Sequence, residues 1–419
     1  MPNLPVPDTD ALAQSSGLAV LIEREIASAG GWISFHRYME LALYAPGLGY
    51  YSGGTQKFGK GGDFITAPEL TTLFGQTLAA QVAEIMRASH PAVIEAGAGS
   101  GVLAIDLLRE LERLDCLPEF YGILELSAQL RARQRQTISA LDPQLASRVV
   151  WLDAPPETFS GVLVGNEVLD AIPTHVVAAR EGGFFERGVA CRQDGAFVWA
   201  DRPARGRLLA AAQKLPLPTG MIEEGGGEFV TEINLAAAAW IADWGARLRH
   251  GALLLFDYGY PRDEFCLPFR ARGTLKCHYC HRAHEDPFLW PGLNDITSSV
   301  DFTAMAEAGF DAGLDVLGYA SQGQFLLNCG LLEYLAGRGP EGSAEYARAS
   351  VAAQKLTLPN EMGELFQGIG VGARRGNRCA AHGFRAGGSH ARTIKKPARG
   401  IAPWPETPGF NQTRRERRR

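Results

Sequence analysis

The chain has 419 residues, of which 46% are apolar and 21% charged, and its formal net charge at pH 7 is −5. This length suits one large domain with insertions or two domains, and the apolar share can fill a sizeable core. No apolar run approaches the roughly 18 residues that a membrane span needs. The seven cysteines are scattered and odd in number, which argues against a disulfide framework.

The beginning of the chain predicts helices and no targeting peptide. The first 14 residues contain three prolines and neither Lys nor Arg, so we expect a cytoplasmic bacterial protein, or a mitochondrial matrix protein only if the source is eukaryotic. Asp8 or Asp10 can cap a helix that runs to about Ala29, and Ser34 can cap a second helix from Phe35 to Leu43. We expect this helical extension to cover a ligand cleft.

A glycine-rich stretch at residues 52–62 follows the two helices. The spacing Gly54-x-x-x-x-Gly59-Lys60 is close to that of a phosphate-binding P-loop, but Gly61 stands where Ser or Thr should reach magnesium. A mobile lid is therefore favoured over a nucleotide triphosphate site.

The next segment, Thr66-Ala67-Pro68-Glu69, has the pattern of a capping box and predicts one sharply started helix. A structural cap explains Thr66 as well as a cofactor contact does. Asp63 stands between the glycine-rich stretch and this helix start, where a scaffold role is harder to find. We therefore take Asp63 as a candidate contact with cofactor or substrate.

The stretch from Val93 to Gly101 predicts a buried strand and a glycine turn, which lead into a helix from Val102 to Leu111. Three glycines let the backbone bend tightly and let a ligand approach with no Cβ in the way. A dinucleotide site or a turn that only packs a helix on a sheet has a similar local pattern. The next strand ends in an acid, which can bind the ribose of an adenosyl group or of NAD. The candidate cofactor-binding residues are Glu95, Gly97, Gly99, Gly101 and Glu125.

Two further strands bring polar residues to the same edge of the predicted parallel sheet. The strand from Arg148 to Leu152 ends in Asp153, which serves either as a turn cap or as a ligand contact. The strand from Gly161 to Gly165 ends in a polar segment before a proline, where turn and cap roles compete with catalysis. The candidate catalytic residues in that segment are Asn166, Glu167 and Asp170.

Short strands between Thr174 and Trp199 predict a β-rich insertion that serves substrate specificity or a dimer contact. A helix from about Asn234 to Leu248 and a fifth strand from Ala252 to Asp257 return the chain to the main sheet. The cluster from Cys277 to His284 has enough ligand types for zinc, but eight residues have difficulty wrapping a tetrahedron, so zinc is not favoured.

The composition of the chain changes after Phe366. Of the 41 Lys and Arg residues, 13 lie beyond this point, together with two of the 46 acids, so the preceding body is acidic. Such a basic segment is most often a solvated tail. Because no periodicity is visible here, we predict that a final sheet strand is missing or altered.

Five ordered motifs resemble those of the MidA family of S-adenosylmethionine-dependent methyltransferases, from about Gly31 to Phe366. The motifs are Leu43-Tyr44-Ala45-Pro46-Gly47-Leu48-Gly49-Tyr50-Tyr51, Gly62-Asp63-Phe64-Ile65-Thr66-Ala67-Pro68-Glu69 with Phe74-Gly75, Glu95-x-Gly-x-Gly-x-Gly, Asn166-Glu167-Val168-Leu169-Asp170-Ala171-Ile172-Pro173 and Asp257-Tyr258-Gly259-Tyr260. The glycine turn departs from many relatives, which have proline after the first glycine and arginine after the second.

The resemblance implies a Rossmann-like class I methyltransferase fold with an N-terminal helical extension and a β-rich insertion. It also implies S-adenosyl-L-methionine as cofactor and methyl transfer to an arginine of a protein, because mitochondrial members methylate a complex I subunit during assembly. Asp153 would contact the adenine amino group, and Glu167 or Asp170 would hold the guanidinium while Asn166 orients it. An acidic body suits such a basic substrate.

From these observations we expect three regions: a helical cover and glycine lid at 1–90, a methyltransferase core at 91–366 and a basic tail at 367–419. Within the core, the insertion covers about 174–230. The resemblance implies a substrate loop at about 261–300, because the family has a related His- and Arg-bearing stretch there. The expected partner is a protein with an exposed arginine, with a homodimer as a further prediction and neither nucleic acid nor membrane insertion expected. Methylation of a small molecule and a non-catalytic assembly factor that uses the cofactor structurally are the alternative functions.

Overall fold

The computed structural model describes residues 4–53, 65–218, 227–373 and 382–384. Its strands are β1 Ile33–Ser34, β2 Ala92–Ala96, β3 Phe120–Leu124, β4 Val149–Leu152, β5 Phe159–Asn166, β6 His175–Arg180, β7 Gly183–Cys191, β8 Phe197–Pro203, β9 Phe229–Ile233, β10 Leu248–Tyr260, β11 Lys276–Tyr279, β12 Arg282–His284, β13 Asp295–Thr297, β14 Val300–Asp301, β15 Leu314–Ser321 and β16 Phe366–Ala373. Its α-helices are α1 Thr9–Ser28, α2 Phe35–Tyr44, α3 Ala67–Leu70, α4 Thr72–Ala88, α5 Val102–Arg113, α6 Ala128–Ile138, α7 Pro143–Ala146, α8 Gly206–Ala212, α9 Leu235–Arg247, α10 Arg262–Phe265, α11 Phe302–Asp311, α12 Gln322–Asn328, α13 Leu331–Ala336, α14 Ala344–Thr357 and α15 Met362–Leu365. Two short 3₁₀ helices cover Pro268–Arg270 and His382–Phe384.

The central sheet has the strand order β15-β16-β10-β5-β2-β3-β4, with β14 paired beside the end of β10. The pairs from β10 through β4 are parallel, whereas β16 runs antiparallel to both of its neighbours. The strand order reverses between β2 and β5, and open α/β sheets bind ligands at such a switch point. The predicted Rossmann-like class I methyltransferase fold is confirmed.

Helices cover both faces of this sheet, which explains why β2, β5 and β10 have nearly continuous apolar sequences. One face carries α4 and α5 together with the C-terminal helices α12 to α14. The other face carries α9 and α11. Within the described chain, no helix is both long and apolar enough to cross a bilayer.

A second sheet, of order β1-β7-β6-β9 with β8 beside β7, is the predicted β-rich insertion. The N-terminal strand β1 pairs antiparallel with β7, so the start of the chain becomes part of the insertion. Helices α1 and α2 pack in the same apolar cluster, and their predicted caps are confirmed because Asp8 and Ser34 accept hydrogen bonds from the first turns. Helix α4 instead packs in the main core, so a boundary near residue 70 fits the packing better than one at residue 90.

The predicted capping box at Thr66 is wrong. The Thr66 side chain makes no cap hydrogen bond, and Thr71 has extended backbone (φ −166°, ψ 146°) that separates α3 from α4. Thr71 itself caps α4 by accepting a hydrogen bond from the Leu73 N–H. The Glu69 carboxylate accepts a hydrogen bond from the Ser100 hydroxyl in the glycine turn instead of closing a box.

The prediction of a missing final strand is also wrong, and with it the start of the tail at residue 367. β16 lies between β10 and β15 and pairs with both along most of its length. The sequence pattern did not indicate this strand, because three of its positions are glycines that leave room for large neighbouring side chains. A Cβ at Gly368 would meet Phe256, one at Gly370 would meet Phe384 and one at Gly372 would meet Leu317, each within 2.8 Å.

Candidate active site

The glycine turn after β2 has the geometry that its sequence predicts. Gly97, Gly99 and Gly101 have φ angles of +64°, +53° and +86°, in the left-handed region that favours glycine. The Gly97 N–H donates to the Leu124 carbonyl at 2.9 Å, which ties the turn to the neighbouring strand. Gly101 is the N-cap residue of α5. The turn therefore presents bare backbone at the carboxyl edge of the sheet.

Gln134 on α6 holds this turn in place, a role that no pattern in the sequence indicated. It is fully buried, and its Nε2 donates to the Gly99 carbonyl at 3.1 Å and to Glu125 Oε2 at 3.0 Å. Its Oε1 accepts from the Trp151 Nε1 at 2.9 Å. One side chain thus links the turn with the ends of the second and third parallel strands.

Replacing Gln134 with leucine should lower both the stability and the cofactor affinity. We expect a loss of about 2–4 kcal/mol in unfolding free energy, because three hydrogen bonds disappear and buried partners remain. S-adenosylhomocysteine should bind about 10-fold more weakly by calorimetry, since Gly99 and Glu125 lose their common support. Gln136→Leu, on the exposed face of the same helix, is the matched control. Equal affinities for the two variants would contradict the role of Gln134.

The two candidate cofactor acids are both buried and both hydrogen-bonded. Glu95 Oε2 accepts from the Tyr121 hydroxyl at 2.6 Å, and burial raises the pKa of Glu95 to about 7. Glu125 Oε1 accepts from the Ser127 N–H at 2.9 Å, and burial raises the pKa of Glu125 as well. Each carboxylate oxygen has a second lone pair, so these hydrogen bonds orient both acids and leave acceptor capacity for a ligand.

Two neighbours complete this end of the site. Asp153 is 93% exposed at its side chain and pairs with Arg131 Nη1 at 2.7 Å. Leu126, directly after Glu125, is 88% exposed and faces the same cavity. Its place in the cavity wall, rather than its exposure, makes Leu126 a candidate ligand contact. The sequence did not indicate Leu126, because an apolar residue after a strand carries no functional signal.

The candidate catalytic residues leave β5 in a strained turn. Glu167 has a left-handed backbone (φ +54°), which is uncommon outside glycine and concentrates at functional sites. Its N–H donates to the Phe256 carbonyl at 2.8 Å, and its Oε1 accepts from the Asn166 Nδ2 at 2.9 Å. Burial, followed by the charge of Asp170, raises the pKa of Glu167 to about 8. Burial also raises the pKa of Asp170.

Asp257 fixes this turn from the neighbouring strand. Its Oδ2 accepts from the N–H groups of Leu169 and Asp170 at 2.9 and 3.2 Å, and its Oδ1 accepts from the Tyr258 N–H at 2.9 Å. The side chain is fully buried, and burial raises its pKa well above the ordinary value. The sequence places Asp257 at the carboxyl edge of the sheet, where the site lies. Local patterns could not indicate its role, because its partners Leu169 and Asp170 lie almost 90 residues earlier in the chain.

A cavity of about 1360 Å³ joins the two ends of the site. Residues of the substrate loop, Gly273, Thr274 and Asp295, also line it. Glu232 of the insertion sheet supports this loop by accepting hydrogen bonds from the N–H and hydroxyl of Thr274. The predicted site residues that line the cavity are Thr66, Glu95, Gly97, Gly99, Glu125, Asp153, Asn166, Glu167 and Asp170. Asp63 lies outside the described residues.

The zinc alternative gains no support from the geometry. Cys277 is buried on β11, whereas Cys280 is exposed at the turn between β11 and β12. Across the described ranges, no group of three or more His, Cys, Asp and Glu side chains is arranged to hold a metal ion.

Known proteins match the chain along most of its length. A family described as "Putative S-adenosyl-L-methionine-dependent methyltransferase" matches residues 77–320. A crystal structure from Burkholderia thailandensis bound to S-adenosyl-homocysteine is 51% identical, with a TM-score of 0.86 over 92% of this chain and 98% of that one. Protein arginine methyltransferase NDUFAF7 of Danio rerio is 27% identical over 87% of this chain and 89% of its own length. The chain therefore belongs to the MidA family of S-adenosyl-L-methionine-dependent methyltransferases.

Proposed function

We propose that this methyltransferase modifies a guanidinium nitrogen of an arginine side chain in a protein. The observation that carries the proposal is the pair of carboxylates, the half-buried Glu167 and the buried Asp170, at the end of the strand beside the glycine turn. Acids in such a place suit a cationic nucleophile that must be held and deprotonated. The curated relative named protein arginine methyltransferase supports the same substrate class.

The residues around the glycine turn fit S-adenosylmethionine. The left-handed glycines leave backbone open to the ligand, Glu125 offers acceptor oxygens for a ribose diol, and Leu126 offers an apolar surface for the adenine face. Asp153 and Thr66 are proposed as further contacts, since both line the cavity. Single-ligand pockets span about 300–1,000 Å³, so the larger cavity has room for a substrate side chain as well.

When bound, S-adenosylmethionine supplies an electrophilic methyl carbon on a sulfonium sulfur. The chain must then hold the nucleophilic nitrogen in line with that carbon and remove a proton from the guanidinium, whose pKa lies above about 12. We assign both tasks to the Glu167 carboxylate, through the oxygen that Asn166 does not occupy. A guanidinium beside Glu167 favours the ionised carboxylate and so lowers its pKa from about 8. Asp170 would neutralise the charge, and Asp257 would keep the turn rigid.

The proposal is tested by incubating the purified chain with methyl-labelled S-adenosylmethionine and a bacterial protein extract. We expect label in protein, and acid hydrolysis should release it as methylarginine. Label confined to small molecules would favour the small-molecule alternative. If label enters protein but the hydrolysate contains methyllysine or a methyl ester instead, the assignment of arginine is wrong.

We also propose a biological context and a cellular location for the reaction. Assembly of a respiratory complex is the proposed context, because the curated relatives are mitochondrial and carry the NDUFAF7 name. A bacterial cytoplasmic location fits the higher identity to the Burkholderia protein. The homodimer stays a prediction, which analytical ultracentrifugation of the purified chain would test.

A further inference from the structure

Asp295 is a further acid of the cavity wall, and it comes from a different structural unit than Glu167 and Asp170. It begins β13 of the small three-stranded sheet, opposite His278 of β11. Its side chain is only 3% exposed and lines the cavity. The sequence placed this residue within the expected substrate loop but gave it no role of its own, because it lies far along the chain from the catalytic turn.

Two stacked tyrosines connect Asp295 to the segment that carries Glu167 and Asp170. The Tyr51 hydroxyl donates to Asp295 Oδ1 at 2.9 Å, and the Tyr51 ring stacks on Tyr44 with centroids 5.5 Å apart. The Tyr44 hydroxyl donates to the Ala171 carbonyl at 2.9 Å. The Ser298 N–H in turn donates to the Asp170 carbonyl at 3.2 Å. These contacts hold β13 and the catalytic turn against the same space.

The wall of that space carries buried polar atoms that can accept hydrogen bonds from a ligand. Four buried polar atoms in the cavity wall have no hydrogen bond of regular geometry among the described residues: Asn166 Oδ1, Asp170 Oδ1, Tyr258 Oη and Thr297 Oγ1. The last three are neighbours, because Tyr258 lies within reach of both Asp170 and Thr297, so Asn166 Oδ1 is the atom with the least support from the protein. Leaving such groups unpaired costs about 1–3 kcal/mol each. A ligand with several donors would satisfy them, and a guanidinium has five N–H donors in a rigid plane. An ammonium has three donors on one atom and cannot span the set.

We propose that Asp295 contacts the substrate guanidinium from the side away from Glu167 and makes the pocket select arginine over neutral and ammonium side chains. This inference rests on the proposed function, because it adds a third carboxylate, beside Glu167 and Asp170, to the same substrate site. Tyr51 is a positioning residue that orients Asp295 through its hydroxyl. The electrostatics agree, since burial raises the pKa values of Glu167 and Tyr258 and the charge of Asp295 makes a smaller contribution in the same direction.

The test measures binding of three small probes to the full chain saturated with S-adenosylhomocysteine. The probes are the N-acetyl methylamides of arginine, citrulline and lysine, which differ in charge and in donor geometry. With the unchanged protein, arginine should bind at least 10-fold more tightly than citrulline. In Asp295→Asn this preference should fall by about 10-fold or more, towards equal binding of the two probes, as expected for losing a charge-assisted hydrogen bond. Tyr51→Phe should lower it by about 3- to 10-fold, because the acid stays but loses its orientation.

Asp286→Asn is the matched control, since this exposed aspartate removes one charge from the same loop outside the cavity wall. Unchanged affinity for S-adenosylhomocysteine shows that each variant is folded. Arginine preference that persists in Asp295→Asn but disappears in Glu167→Gln would overturn the role of Asp295 and leave the proposed function intact. Equal binding of all three probes to the unchanged protein would overturn the arginine substrate itself, and with it both proposals.

Discussion

Replacing Glu167 with glutamine should reduce methyl transfer by about 10²- to 10⁴-fold, the range for losing a positioned acid–base group. Glutamine keeps the size of the side chain and the contact with Asn166, so S-adenosylhomocysteine should bind with nearly unchanged affinity. The loss would therefore fall on the transfer step, because the amide cannot take the guanidinium proton. A variant with normal transfer would exclude Glu167 as the base.

The same substitution should stabilise the unliganded protein at alkaline pH. The folded pKa of Glu167 is about 8, well above the ordinary value of a glutamate. The folded state then binds more protons than the unfolded state over the intervening range, so this contribution to stability is complete below about pH 4 and is lost as pH rises through 8. Glutamine has no proton to lose. We expect the variant to exceed the parent by roughly 2–4 kcal/mol at pH 9.

Thermal unfolding at pH 5, 7 and 9 measures this difference. The gap in midpoint temperature between Glu167→Gln and the parent should be small at pH 5 and several degrees at pH 9. Glu112→Gln is the matched control, because Glu112 is exposed on α5. A gap that stays constant with pH would show that the Glu167 carboxyl is not protonated in the folded state.

Replacing Gly97 with valine should reduce cofactor affinity by more than about 100-fold. The backbone at φ +64° strains any side chain with a branched Cβ, and the new Cβ would lie 3.1 Å from Val168 Cγ2. Strain of this kind costs about 1–2 kcal/mol. The valine methyls would also occupy the space through which a ligand approaches the turn. Methyl transfer should fall together with binding.

Calorimetric titration with S-adenosylhomocysteine measures the affinity. Gly30→Val is the matched control, because Gly30 has φ +75°, no atom within 4 Å of its Cβ position and no place in the cavity wall. Both variants should lose stability through the backbone, but only Gly97→Val should lose the ligand. Similar binding losses in the two variants would mean that the effect comes from stability alone.

Local sequence patterns indicated the residues of the candidate site that are close together in the chain, and the structure places these residues in the wall of one cavity. A few neighbouring residues are enough to recognise the glycine turn, the acids at strand ends and the Asn166-Glu167 pair. These features come together because a parallel sheet brings the ends of its strands to one edge. The fold class and the insertion were predictable for the same reason. The caps of α1 and α2 also depend on contacts within one helical turn.

The remaining parts depend on contacts between distant segments. Gln134 sits on a helix whose outer face is polar, so its burial against the glycine turn has no periodic signal. Asp295 and Asp257 act through partners on other elements. The predicted capping box at Thr66 is wrong because the Glu69 carboxylate accepts a hydrogen bond from the Ser100 hydroxyl. This tertiary contact replaces the local hydrogen bond that a capping box would need. β16 was missed because its glycines fit around side chains from other segments.

The position of β16 also bears on how the protein is made. As the chain leaves the ribosome, β10 and β15 are synthesised before the strand that must lie between them. Until β16 arrives, each of the two presents an unpaired edge, and such edges can pair with other chains. Conditions that slow synthesis of this last part should therefore favour aggregation over folding, and chaperones that shield β-edges should matter most at this stage.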